Sequence, residues 1–191
     1  MTTPITTLAD VVIGFEPDVF HAKARQGDNA AFSAKFAIEL GSENEKKIEA
    51  AMLAAAVAKW KDAAPGILTK LKSERRVAYQ PDAPLDKDGK PYNAFKGKGA
   101  ISTRNATTKK PTLFDRDGND ILIDEGQFYA GARVHASIEF WAQDSQEYGR
   151  RINCNIRALK QFKDGERLGG SSPATANEFA GLPAGDAGDF V

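Results

Sequence analysis

Strict alternation of apolar and polar positions dominates the chain and predicts strands with one wet face. Residues 19–25 set Val19, His21, Lys23 and Arg25 on one parity against Phe20, Ala22 and Ala24 on the other. After the turn residues Gly27, Asp28 and Asn29, the residues Phe32, Ala34, Phe36, Ile38 and Leu40 alternate with Ser33, Lys35, Ala37 and Glu39, which completes a hairpin. The period then changes. Ser42 and Glu45 have the spacing of a capping box, and Ile48, Met52, Ala55 and Ala56 recur at helical intervals along an alanine-rich run. Pro65 and Gly66 end that helix, and a short second one is expected from Ile67 to Lys72, giving a helical insertion over about residues 43–72. Trp60, near the end of the first helix, reads as a core or rim residue.

Residues 77–88, with Pro81, Pro84 and an Asp-Lys-Asp-Gly turn, read as a loop. Alternation returns over 95–105, with Lys96, Lys98 and Arg104 on one parity and Phe95, Gly97, Gly99 and Ile101 on the other. Glycines inside a strand mark a bend or a close approach of another backbone. Asp117-Gly118 is a hairpin turn leading into Ile121–Ile123; the surrounding DRDGND is not a calcium loop, because Asp120 and Gly126 stand where glycine and glutamate are required. The two longest alternating runs come last. Val134, Ala136, Ile138, Phe140 and Ala142 point inward from the first, with Trp141 on its polar parity. Ile152, Cys154, Ile156 and Ala158 point inward from the second, with Arg151, Asn153, Asn155 and Arg157 outward.

These elements predict a mainly β protein: an OB-fold-like small antiparallel barrel with a helical insertion between early strands. A β-sandwich is the alternative, since alternation does not distinguish closure from stacking. A chain of 191 residues forms one such domain, here residues 1–171, plus a tail over 172–191. The formal net charge is zero, yet residues 171–191 hold Glu178, Asp186 and Asp189 with no Lys or Arg, so a mildly basic body is joined to an acidic end. The stretch NEFAGLPAGDAGDFV lacks apolar periodicity and is expected to be disordered. Such a tether competes for a basic face at high effective concentration, or presents Asp186, Asp189 and Phe190 to a partner.

The chemistry suggested is binding. Lys87, Lys90, Lys96, Lys98, Arg104, Lys109, Lys110 and Arg116 crowd a thirty-residue stretch interleaved with Tyr92, Phe95 and Phe114. Cations neutralise phosphates and flat rings stack on unpaired bases. Lys23, Arg25, Lys96, Lys98, Arg104, Arg133, Arg151 and Arg157 are the candidate phosphate contacts, and Tyr92, Phe95 and Trp141 the candidate stacking rings. For Trp141 the competing role is packing beneath the helical insertion.

Enzymatic readings are weak: two histidines, a single cysteine and no metal, acyl-transfer or phosphate-loop motif leave no catalytic constellation, and neither a metal nor another cofactor is expected. Cys154 has no intramolecular disulfide partner and reads as a core thiol. No apolar run approaches the ~20 residues of a membrane span, and the N-terminus lacks the basic start of a signal peptide. A soluble protein of a reducing compartment is expected.

The run YGRRINCNIRALKQFKDGERLGGSS, through Gln161, Phe162, Asp164, Gly165, Glu166, Leu168, Gly169 and Gly170, resembles the end of the tailed-phage single-stranded DNA-binding proteins, with Asn93–Lys96 as a second anchor. The resemblance implies a helix-embellished OB-fold with an acidic tail. It implies non-catalytic coating of single-stranded DNA during phage replication, recombination or repair in the cytoplasm of the infected bacterium, with replication or recombination proteins as partners of the tail. This tail is sparsely charged and ends in Val191. The rival readings are a structural phage component whose basic face meets an acidic protein, and an RNA-binding version of the fold.

Overall fold

A computed structural model describes residues 4–24 and 27–168. One mixed sheet organises them, with strands β1 (Ile5–Ile13), β2 (Asp18–Lys23), β3 (Ala31–Glu39), β4 (Tyr79–Gln80), β5 (Lys98–Ala106), β6 (Thr112–Phe114), β7 (Arg133–Ser145) and β8 (Gly149–Lys163). The order along the sheet is β4-β5-β3-β1-β7-β8-β6, and β2 pairs with β3. All the pairings between these strands are antiparallel except β6 with β8.

The expected mainly β fold with an early helical insertion is observed. The sheet itself is open, because β5 and β8 come together without a shared ladder. Two devices bridge that seam. At one end the segment through β4 lies between the lips: Ser102 N donates to Ala78 O at 2.9 Å on the β5 side, and Ile152 N donates to Arg76 O at 3.1 Å on the β8 side. Further along, the buried Asn105 does the same with its side chain. Its Nδ2 donates to Ile156 O at 2.7 Å and its Oδ1 accepts from Ile156 N at 2.8 Å. An amide side chain thus reproduces the donor and acceptor that a neighbouring strand would offer.

The insertion consists of α1 (Glu43–Trp60), a short 3-10 turn and α2 (Ala64–Ser73). Ser42 caps α1 by accepting from Glu45 N at 3.2 Å, and Glu45 reaches back to accept from Gly41 N at 2.6 Å. Pro65 falls in the first turn of α2, where a missing N–H costs nothing. Ile48, Met52, Ala55 and Ala56 join the main core with Leu8, Ile13, Phe36, Ile138 and Phe140. Tyr79 OH donates to Glu45 Oε1 at 2.5 Å, tying helix to sheet, and burial with the adjacent Glu45 carboxylate pushes its phenol well above the usual range. Trp60 packs against the core rim and donates Nε1 to Asp144 Oδ2 at 2.9 Å.

Several expectations change. Strand β1 has no counterpart in the alternating pattern: Asp10 takes φ 52° and the register to β7 shifts between Leu8 and Val11, so the inward residues Leu8, Val11 and Ile13 break the two-residue period. Arg157 is an extra residue opposite the step from Ser137 to Ile138, so Leu159, and not Ala158, returns to the core. Val19 and Phe20 are both buried, where alternation would expose one. Residues 79–80 form a strand inside the expected loop. The turn at Asp117-Gly118 forms, with Asp115 Oδ1 accepting from Gly118 N and Asn119 N, but Ile121–Ile123 is not a strand and Leu122 and Ile123 are exposed.

A second, smaller cluster covers part of the outer face of β3 and β5. Phe95, fully buried, packs with Ala37, Ala94 and Ala100, and Val12, Phe15 and Leu168 lie against it. Gly14 makes room for it, since a β-carbon there would lie 2.1 Å from the Phe95 ring. The C-terminal Asp-Gly-Glu-Arg-Leu segment clasps the loop before β7. Tyr129 OH exchanges hydrogen bonds with Gly165 O and N at 3.0 and 3.1 Å, and Leu168 N donates to Ala130 O at 2.8 Å. Gly131, at φ 104°, is required by this contact because a β-carbon would fall 1.7 Å from Glu166 O. Residues 172–191, with the expected tail, lie outside the described residues.

Candidate nucleic-acid interface

The seam between β5 and β8 is also a groove. A cavity of about 440 Å³ over β3 and β5 adjoins three of about 320, 310 and 470 Å³ that follow one another along it. The first and second share Ser102 and Arg104, the second and third share Arg104 and Trp141, and the third and fourth share Lys109, Glu139 and Asn155. The path is therefore continuous. Its cations are Lys35, Arg75, Arg76, Arg104, Lys109, Lys110, Arg151 and Arg157, against the acids Glu16 and Glu139.

Local rules place each group. Ser102, Arg104 and Ala106 alternate outward from β5 while Ile101, Thr103 and Asn105 turn in. Arg104 donates to Asn29 O at 2.6 Å and pairs with Asp28 at 3.4 Å, which holds it over the junction of three cavities. Across the seam, Trp141 and Asn153 are directly opposed in the β7–β8 ladder, as are Gln143 and Arg151. The Trp141 indole is 38% exposed, and its Nε1 donates to the buried Asn155 Oδ1 at 3.2 Å. That bond fixes the ring's edge and leaves surface for stacking. The expected alternative of burial beneath the helices does not occur.

At the first cavity a second ring platform is built from below. Buried Phe95 supports Phe15 with ring centroids 5.3 Å apart, and Phe15 meets Tyr92 edge-on at 4.8 Å and 86°. Tyr92 is 41% exposed, and Lys35 Nζ lies 5.4 Å from the Phe15 ring centre.

Of the residues singled out from sequence, Tyr92, Arg104, Trp141, Arg151 and Arg157 line the groove. Phe95 is a correction: with no exposed surface it has no face to offer a base, and its part is to carry Phe15. Lys23 is paired with the buried Asp18 at 3.3 Å, and Lys98 with Glu39 at 2.7 Å. Arg133 donates Nε to Asp10 Oδ1 at 2.6 Å. That bond raises the guanidinium's pKa and holds the Asp10 carboxyl below its usual range. Lys23, Lys96, Lys98 and Arg133 line none of the four cavities. Arg25 and the tail residues Asp186, Asp189 and Phe190 lie outside the described residues.

The groove also holds residues that the alternating pattern does not single out as contacts. Phe15 follows the strand that the bulge at Asp10 conceals, Lys35 belongs to its neighbour β3, and Arg75 and Arg76 follow a helix whose pattern signals packing alone. Cys154 is buried, and burial pushes its thiol well above the usual range, so it is not poised as a nucleophile.

A family model described as the ssDNA-binding protein of Enterobacter phage Enc34 matches residues 7–191. Protein p50 of Acyrthosiphon pisum secondary endosymbiont phage 1 is 29% identical over 97 residues, which is 51% of this chain and 50% of that protein. The match thus spans about half the length of that curated relative. The fold is similar to the single-stranded DNA-binding protein of bacteriophage Enc34 in complex with ssDNA, at TM-score 0.67 and 19% identity over 87% of this chain and 90% of that one. It is also similar to the single-stranded DNA-binding protein gp2.5 of bacteriophage T7, at TM-score 0.57 and 7% identity over the whole of both chains.

Proposed function

The chain belongs to the family of the Enterobacter phage Enc34 ssDNA-binding protein, and from that premise we propose that it binds and protects single-stranded DNA during phage DNA replication, recombination or repair. The observation that carries this reading is the continuous groove whose lining combines cations with the rings of Phe15, Tyr92 and Trp141. Guanidinium and ammonium groups neutralise successive phosphates and release their counterions. The rings accept any base, because every base has a π face, so binding is tolerant of sequence.

The protein acts without catalysis, in the cytoplasm of the infected host. No helix among the described residues is long and apolar enough to cross a membrane. The acidic stretch carrying Asp186, Asp189 and Phe190 modulates access to the groove or recruits replication or recombination proteins. What supports this is its charge and its point of departure, for Leu168 packs against the Phe95 and Phe15 cluster at one end of the groove.

The test is a fluorescence titration of the full chain with a thymidine oligonucleotide, a matching RNA and a duplex, each at two salt concentrations. Salt-dependent binding that favours the single DNA strand, with quenching lost in Trp141→Phe, is expected; Trp60, bonded to Asp144, supplies the unchanged background. Equal, weak binding to all three overturns the reading.

A further inference from the structure

The helical insertion ends in two arginines, each of which carries a locally unfavourable feature. After α2, Arg75 N donates to Lys72 O at 3.0 Å and Arg76 N to Leu71 O at 2.8 Å. This is a Schellman reversal, in which the residue at the left-handed position is usually glycine. Here it is Arg75, at φ 55°. A β-carbon in that region crowds the backbone, so arginine is held there against its local preference.

Arg76 carries a second oddity. Its guanidinium donates to Tyr148 O, yet its Nε is buried with no partner, alone in this among the side chains described. An unsatisfied buried donor is unfavourable to the fold. Both side chains line the same cavity of about 320 Å³ as Arg104, Trp141, Arg151 and Asn153. Arg75 is held by Asp82 at 2.7 Å, whereas neither Arg76 nor Arg151 has an ion-pair partner among the described residues.

We propose that this cavity is an anchor subsite for one nucleotide of the bound strand, with its phosphate between Arg76 and Arg151 and its base against Trp141. Arg75 leaves Asp82 to join the same phosphate. The proposal rests on the reading of the groove as a single-strand site, and it gives the helical insertion a second role: α2 packs on β8 and carries the arginine pair to the lip. Lys61 and Asp10 also take a positive φ, so what sets this place apart is the convergence of Arg75, Arg76 and Arg151 on one cavity with Trp141.

The experiment compares the full chain with Arg75→Gly, Arg76→Gln and Asp82→Asn by titration of a thymidine oligonucleotide over a salt series, alongside thermal unfolding. Glycine suits the left-handed position, so Arg75→Gly is expected to hold or raise the midpoint of unfolding while weakening binding several-fold. The slope of log K against log salt is expected to flatten by about 0.7 for each phosphate that is no longer neutralised, in Arg75→Gly and in Arg76→Gln alike. Asp82→Asn frees Arg75 and is expected to tighten binding. Wild-type binding with unchanged affinity and slope in both arginine variants overturns the subsite and leaves the groove reading standing. Failure of the unaltered chain to bind any single strand overturns both.

Discussion

The two ends of the β7–β8 hairpin carry similar basic side chains to opposite ends. At the open end, Arg133 and Lys163 face each other across the ladder, and Asp10 takes both, at 2.6 and 3.5 Å. Near the turn, Arg151 stands opposite Gln143, beside the Trp141–Asn153 pair, and no carboxylate of the described residues reaches it. Arg150, its neighbour on the other parity, is paired with Asp144 at 3.0 Å. Neither side-chain type nor strand position separates a structural arginine from one left open to a ligand. The deciding factor is whether an adjacent segment delivers an acid, and at the open end the bulge at Asp10 delivers one.

Substitutions at the two ends should therefore diverge. Trp141→Ala is expected to weaken single-strand binding by about 1–3 kcal/mol for any base composition, and Tyr92→Ala by the same range. Equal affinity of both variants with the parent, by anisotropy titration, would remove these rings from the interface. Arg151→Ala is expected to flatten the salt dependence by about 0.7 with no loss of thermal stability. Arg133→Ala should do the reverse, leaving the salt slope alone and destabilising the fold by roughly 0.2–1 kcal/mol, the range of solvent-exposed ion pairs. A change of salt slope in Arg133→Ala would erase the distinction between the two ends.

Acid sharpens it further. The hydrogen bond from Arg133 holds the Asp10 carboxyl below its unfolded value, so its contribution is complete above the unfolded carboxylate pKa of about 4 and is lost as pH falls through the folded one. The difference in unfolding midpoint between the parent and Asp10→Asn is expected to shrink on acidification through that window; a constant difference would refute the linkage. The smallest effect belongs to Cys154, whose buried, protonated thiol should resist a thiol reagent until the protein unfolds.

The hairpin, the helical insertion and the last two strands were legible because each keeps one period over most of its length, with breaks confined to Val19–Phe20 and to the end of β8. Strand β1 was not, since the bulge at Asp10 places its inward residues at intervals of three and then two. Arg157 hides the parity of the end of β8 by the same device. The site was legible where a ring or a cation interrupts an alternating strand, as Trp141, Arg104 and Arg151 do. Phe95 misled because it shares the parity of β5 on paper, while in space it sits in a 3-10 turn behind Gly97, whose φ of 68° breaks the strand. Phe15, Arg75 and Arg76 gave no local sign, for their importance comes from which segments meet across the seam. The Asp-Gly-Glu-Arg-Leu run, the most distinctive motif, serves mainly to close the loop before β7, through Tyr129 and Ala130.

Asn105 lends the seam a reporter of its own. The Ile156 amide hydrogen is held across the seam by a side-chain carbonyl oxygen, where that of Ile152 is held by the backbone carbonyl of Arg76. Opening of the lips at Asn105 releases that amide, so its exchange with deuterium times the breathing of this part of the groove wall independently of global unfolding. A strand lying across the seam would slow that clock, and occupancy would be readable at one proton.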